Sequence, residues 1–124
     1  MSGKLILIVD DEKDFVKTTA LRLGHEGYEI EEANDGTEAL EKVAAKKPDL
    51  ILLDIMMPGM TGTEVYEKLR AEPDTASIPI IFLTVWERLL PGTVEPDEGR
   101  YRFLMKPFDF QKLLQTIHDL IGGD

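Results

Sequence analysis

Five polar residues stand directly behind apolar runs of this sequence. Asp10 and Asp11 follow Leu5–Val9, Asp54 follows Leu50–Leu53, Thr84 follows Ile78–Leu83, and Lys106 follows Tyr101–Met105. Three carboxylates and one ammonium brought together would carry a net charge of −2. Carboxylates that close repel strongly unless they are neutralised or protonated. A divalent, oxygen-seeking cation resolves the repulsion, and Mg2+ commonly uses one or two carboxylates, waters and a phosphate. In that setting Asp54 is the candidate nucleophile, because a carboxylate that takes a phosphoryl group becomes an acyl phosphate. Lys106 and the Thr84 hydroxyl are further donors for the charge that develops. Each residue taken singly has an ordinary structural reading. Asp10-Asp11-Glu12 could be the N-cap region of a helix, Asp54 a loop cap, Thr84 a strand-end threonine, and Lys106-Pro107 a solvated turn. Their placement behind four apolar runs points to one site.

The elements that must position these residues can be read from periodicity. Apolar runs recur at Leu5–Val9, Tyr28–Glu31, Leu50–Leu53, Ile78–Leu83 and Tyr101–Met105. The first, third and fourth are apolar without alternation, which suits strands buried on both faces of a parallel sheet. The second alternates, as an edge strand does. Between the runs, Phe15, Thr19 and Leu23 fall at helical spacing, and so do Ala39, Leu40, Val43 and Ala44. Thr61-Gly62-Thr63-Glu64 has the spacing of a capping box ahead of Val65, Tyr66 and Leu69. Asp109 can cap a last helix whose stripe is Phe110, Leu113, Leu114, Ile117 and Leu120 or Ile121. Strand and helix alternating in this way predict an α/β fold, an open doubly wound parallel sheet. Ligands of such sheets bind beyond the carboxyl ends of the strands, where the five polar residues stand. The crossover after the fourth strand departs from the pattern. Pro91, Gly92, Pro96 and Gly99 oppose a regular helix there, so a short or irregular fourth helix is expected.

Composition narrows the function. At 124 residues the chain holds one domain. With no cysteine it has no disulfide and no thiolate site, which fits a reducing cytoplasm. No apolar run reaches the roughly 20 residues of a membrane span, and Asp10, Asp11 and Glu12 interrupt the start too early for a signal peptide. A formal charge of −10 without a basic block argues against direct binding of nucleic acid. His25 and His118 lack ligand spacing and read as surface or capping residues. Met56, Met57 and Met60 read as loop and packing residues, since thioethers suit soft metals.

The segments Ile6-Leu7-Ile8-Val9-Asp10-Asp11-Glu12, Pro48 to Gly62 around Asp54, Ile81-Phe82-Leu83-Thr84, and Phe103-Leu104-Met105-Lys106-Pro107-Phe108 together resemble the receiver domain of two-component response regulators. The resemblance covers the whole chain, residues 1–124. It implies a flavodoxin-like (βα)5 sheet of order 2-1-3-4-5. It also implies a signalling domain rather than an enzyme, one that catalyses only its own phosphorylation and dephosphorylation in the cytoplasm. Asp54 would accept a phosphoryl group from a phosphohistidine on a histidine kinase or histidine phosphotransfer protein. Asp11, Asp54 and the Met56 carbonyl would hold Mg2+, with Asp10 helping directly or through water. Thr84 and Lys106 would contact the phosphate. Phe103 matches the aromatic switch position that swings inward as Thr84 moves, and Pro107 matches a Lys-Pro bond that is usually cis in the family. An output partner would use the fourth helix, fifth strand and fifth helix.

Some features of the chain depart from that resemblance, and other functions compete with it. Val85 replaces the small residue that usually follows the threonine, and the Pro/Gly-rich segment behind it makes the output face unusual. Met56 and Trp86, two residues beyond Asp54 and Thr84, are apolar and are expected to shield the acyl phosphate from water. An aspartyl-phosphate phosphatase would place an acid/base carboxylate where Met56 stands, and a flavin carrier would have a Ser/Thr/Gly-rich loop after the first strand. The remaining alternative is a receiver-like scaffold whose signalling does not depend on phosphorylation.

Overall fold

The computed structural model describes residues 3–84, 101–106 and 108–122. Five strands form one sheet: β1 (Leu5–Val9), β2 (Glu29–Ala33), β3 (Leu50–Asp54), β4 (Ile80–Thr84) and β5 (Tyr101–Met105). Every pairing is parallel, and the spatial order is β2-β1-β3-β4-β5. Four helices are described: α1 (Lys13–His25), α2 (Gly36–Ala45), α3 (Gly62–Ala71) and α4 (Phe110–Ile121). The expected α/β class and the order 2-1-3-4-5 are both observed.

The unbroken apolar strands explain the layering. Successive side chains of a strand point to opposite faces. Leu7, Val9, Ile51, Leu53, Ile80 and Phe82 therefore pack with Ala39 and Val43 of α2 and Val65, Tyr66 and Leu69 of α3. Their neighbours Ile6, Ile8, Leu50, Leu52, Ile81 and Leu83 pack with Val16 and Leu23 of α1 and Leu113 and Ile117 of α4. β2, at the edge, is only partly covered, as its alternation predicts.

Local signals set the helix starts. Thr61 and Glu64 form the anticipated capping box at α3, and Asp109 caps α4 by accepting from the Gln111 N–H. Asp35 caps α2 through the Glu38 N–H, while Glu38 accepts from the Asn34 N–H at 2.8 Å. The start of α3 is pressed onto the end of β3. A Cβ on Gly62 would lie 2.2 Å from the Asp54 carbonyl oxygen, so only glycine permits this approach. The Gly62 N–H closes the loop by donating to the Ile55 carbonyl at 3.0 Å.

Candidate functional site

β1 and β3 are neighbours in the sheet, so the residues that end them are neighbours too. Asp10 is fully buried and Asp54 is 7% exposed, while Asp11 is exposed. One carboxylate oxygen from each of Asp10, Asp11 and Asp54 lies within 4.8 Å of the others. The backbone fixes these groups. The Asp10 N–H donates to the Ala33 carbonyl at 3.1 Å, the Ile55 N–H donates to the Leu83 carbonyl at 3.1 Å, and Asp10 Oδ1 accepts from the Glu12 N–H at 3.0 Å. Asp54 Oδ1 accepts from the Met56 N–H at 3.3 Å.

Lys106, just past β5, reaches over from the far side of β4. Its Nζ donates to Asp10 Oδ2 at 2.6 Å and to Glu12 Oε1 at 2.9 Å, and it lies 4.4 Å from the centre of the Phe15 ring. Asp10 is thus paired, whereas Asp54 feels Lys106 only through its charge.

Electrostatics separates the groups. Burial, then the neighbouring charge of Asp10, push the Asp54 carboxyl up to about 7, against the opposing pull of Lys106 and the Met56 N–H. Burial works against the Lys106 ammonium, but its hydrogen bonds to Asp10 and Glu12 and the charges of Asp10 and Asp54 prevail and raise it. A buried carboxylate cluster with one ammonium is short of positive charge. The donors it offers are hard oxygens with an exposed opening at Asp11, which fits Mg2+ and not a soft metal.

The structure therefore brings Asp10, Asp11, Asp54 and Lys106 together, as the spacing predicts. The backbone of Thr84 ends β4 beside Met105; its side chain, together with Val85, Trp86, Pro107 and the expected fourth helix, lies outside the described residues. Phe103 is half-buried and stacks on Phe82, with ring centres 5.3 Å apart and planes at 20°. Tyr101 and Tyr66 complete that aromatic wall. The Met56 side chain is exposed, whereas Met57 is buried in the core and Met60 packs against it. His25 and His118 are exposed. Sequence reasoning missed Glu12 as a partner of Lys106. The signal was available: a glutamate stands where α1 needs an N-cap.

A carboxylate pocket beyond the carboxyl ends of β1 and β3, in a parallel sheet of order 2-1-3-4-5, defines a doubly wound α/β domain with its site at the switch in strand order. The chain belongs to the response regulator receiver domain family, whose description matches residues 6–118. Response regulator MprA of Mycobacterium leprae is 40% identical over 116 residues, 94% of this chain and 50% of that protein. The chain thus spans about half the length of the curated relatives it matches. Among solved structures, chemotaxis protein CheY4 of Vibrio cholerae is similar with a TM-score of 0.80 and 31% identity, covering 94% of this chain and 98% of that one. The receiver domain of a signal transduction histidine kinase from Syntrophus aciditrophicus gives 0.85 and 30%, covering 95% and 89%. Response regulator TrrA of Thermotoga maritima, solved in complex with Mg2+-BeF, gives 0.79 and 34%, covering 94% and 98%. Among the described residues, no helix is long and apolar enough to cross a membrane.

Proposed function

We propose that this receiver domain is a phosphorylation-dependent switch in which Asp54 accepts a phosphoryl group from a phosphohistidine of a histidine kinase or histidine phosphotransfer protein. The observation that carries this reading is the meeting of Asp10, Asp11 and Asp54 oxygens within 4.8 Å beside the Lys106 ammonium. An Asp54 carboxylate oxygen forms the new P–O bond as the P–N bond to the donor histidine breaks, and the imidazole leaves. Asp11, Asp54 and the Met56 carbonyl, with Asp10 directly or through water, would hold Mg2+, which supplies the positive charge that offsets the carboxylates and the phosphoryl oxygens. Lys106 and the Thr84 hydroxyl donate to the phosphoryl group, and Phe103 carries the change toward the output side. The exposed Met56 side chain shields the acyl phosphate from water.

The domain acts on itself alone, without turnover of a separate substrate, and works in the cytoplasm. Its output partner binds the face of β5 and α4. MprA and CheY4 are described as a response regulator and a chemotaxis protein, and the TrrA complex holds Mg2+ with a fluoride of beryllium. These relatives support both the switch and the ion. No described residue favours the unphosphorylated scaffold.

Incubation with acetyl phosphate and Mg2+, followed by intact mass, tests the reading. A gain of one phosphoryl group by the parent chain and none by Asp54→Ala is expected. Equal labelling of both chains would place the acceptor elsewhere.

A further inference from the structure

Glu12 occupies a position where helices favour Ser, Thr, Asp or Asn. It is the N-cap of α1, in extended backbone at φ −87° and ψ 98°, yet its side chain makes no capping hydrogen bond. It forgoes the bond that those shorter side chains make. Its carboxylate goes instead to Lys106, across 94 positions of sequence, with Oε1 accepting from Nζ at 2.9 Å. A local rule broken in this way, next to a site, marks a residue kept for another purpose.

The Lys106 ammonium has three N–H donors. Two are committed to Asp10 and Glu12, and the face of Phe15 covers a further side. One donor is left, on the side that Phe15 crowds, so the ammonium turns more than that one N–H toward a phosphoryl group on Asp54 only by relinquishing a partner. Asp10 is fully buried, whereas the Glu12 side chain is 64% exposed. Releasing Asp10 would strand a charge away from water, but a released Glu12 simply rehydrates. Glu12 is the partner that yields.

We infer that Glu12 is a positioning residue that holds the Lys106 ammonium in the resting domain and competes for it with a phosphoryl group on Asp54, so that this contact lowers the affinity of the site for that group. The inference rests on the reading of Asp54 given above. It differs from a plain charge effect, in which any nearby anion weakens binding of another, because it requires the reach of the glutamate side chain.

Calorimetric titration with beryllofluoride at fixed, saturating Mg2+ separates the cases, using the parent chain, Glu12→Gln and Glu12→Asp. The aspartate keeps the charge but is one methylene shorter, and it can turn back to cap α1. Both variants are expected to bind about two- to fivefold tighter than the parent, the size of effect for an ion pair with one exposed partner. In Mg2+-free buffer Glu12→Asp is expected to melt no lower than the parent, which shows that the tighter binding is not a by-product of a loosened fold. Tighter binding by Glu12→Gln alone would reduce the effect to bare charge and overturn the inference. Unchanged or weaker binding by both variants would overturn it as well. A parent chain that binds no beryllofluoride would overturn the reading of Asp54 and this inference with it.

Discussion

The two ends of the same strands are finished in opposite ways. At the amino end of β1, polar groups find partners one for one: the Leu5 N–H donates to Asp49 Oδ2 at 2.7 Å, and Lys4 Nζ donates to the Ile121 carbonyl that ends α4. The Asp49 N–H donates in turn to the Leu5 carbonyl at 2.8 Å. At the carboxyl end, Asp10, Asp11 and Asp54 crowd together beside the Lys106 ammonium; Asp10 and Asp54 are buried, and the Asp54 carboxyl is pushed up to about 7. One end is closed for stability; the other is held in an arrangement that costs stability until positive charge arrives. Such a cost persists only where the surrounding fold enforces it. Here the enforcement is the buried apolar run beneath each acidic residue and the close seat of α3 on β3.

The contrast breaks most visibly at Gly62. A methyl group there meets the Asp54 carbonyl oxygen at 2.2 Å, and backbone cannot step aside as a flexible side chain can. Gly62→Ala is expected to destabilise the domain by about 3 kcal/mol, read as the midpoint of urea unfolding, and to weaken Mg2+ binding with it. A stability loss below about 0.5 kcal/mol would mean that the carboxyl end is not held as tightly as described.

A somewhat smaller effect of opposite sign is expected from Asp54→Asn. A carboxyl raised from 3.8 to about 7 in the folded chain keeps its proton where the unfolded chain has lost it. Its ionisation therefore erodes stability as pH climbs from about 4 to about 7, and the penalty is full above that. The asparagine variant is expected to be more stable than the parent at pH 8, on the order of 1–2 kcal/mol. The advantage fades toward pH 4 and shrinks when saturating Mg2+ stabilises the parent alone. Unfolding curves at pH 4, 6 and 8 read this directly, and a gain that grows toward acid would reverse the assignment.

Much of this contrast could be read from the chain before folding. Unalternating runs such as Leu5–Val9 and Leu50–Leu53 gave strands covered on both faces, and the polar residue behind each run fell at the carboxyl end. Thr61 with Glu64 and Asp109 gave two helix starts, because capping is decided within four residues. What stayed hidden depends on pairs far apart in sequence. Lys106 with Glu12 and Leu5 with Asp49 are separated by 94 and 44 positions, and no local spacing records them. Gly62 was legible as part of a capping box, but the closeness of its neighbour Asp54 was not, since that follows from how α3 seats on β3.

The amino end offers the finest test of the contrast. Asp49→Ala removes the acceptor of the Leu5 N–H, and Leu5 is itself buried. Loss of one such bond costs about 1 kcal/mol. Because Asp49 sits at the opposite end of β3 from Asp54, the loss is expected at every pH from 6 to 8, with or without Mg2+, and with Mg2+ affinity unchanged. Equal destabilisation in metal-free and metal-saturated unfolding curves would show that the two ends are energetically separate. A cost that grew when Mg2+ was bound would show that β3 transmits between them.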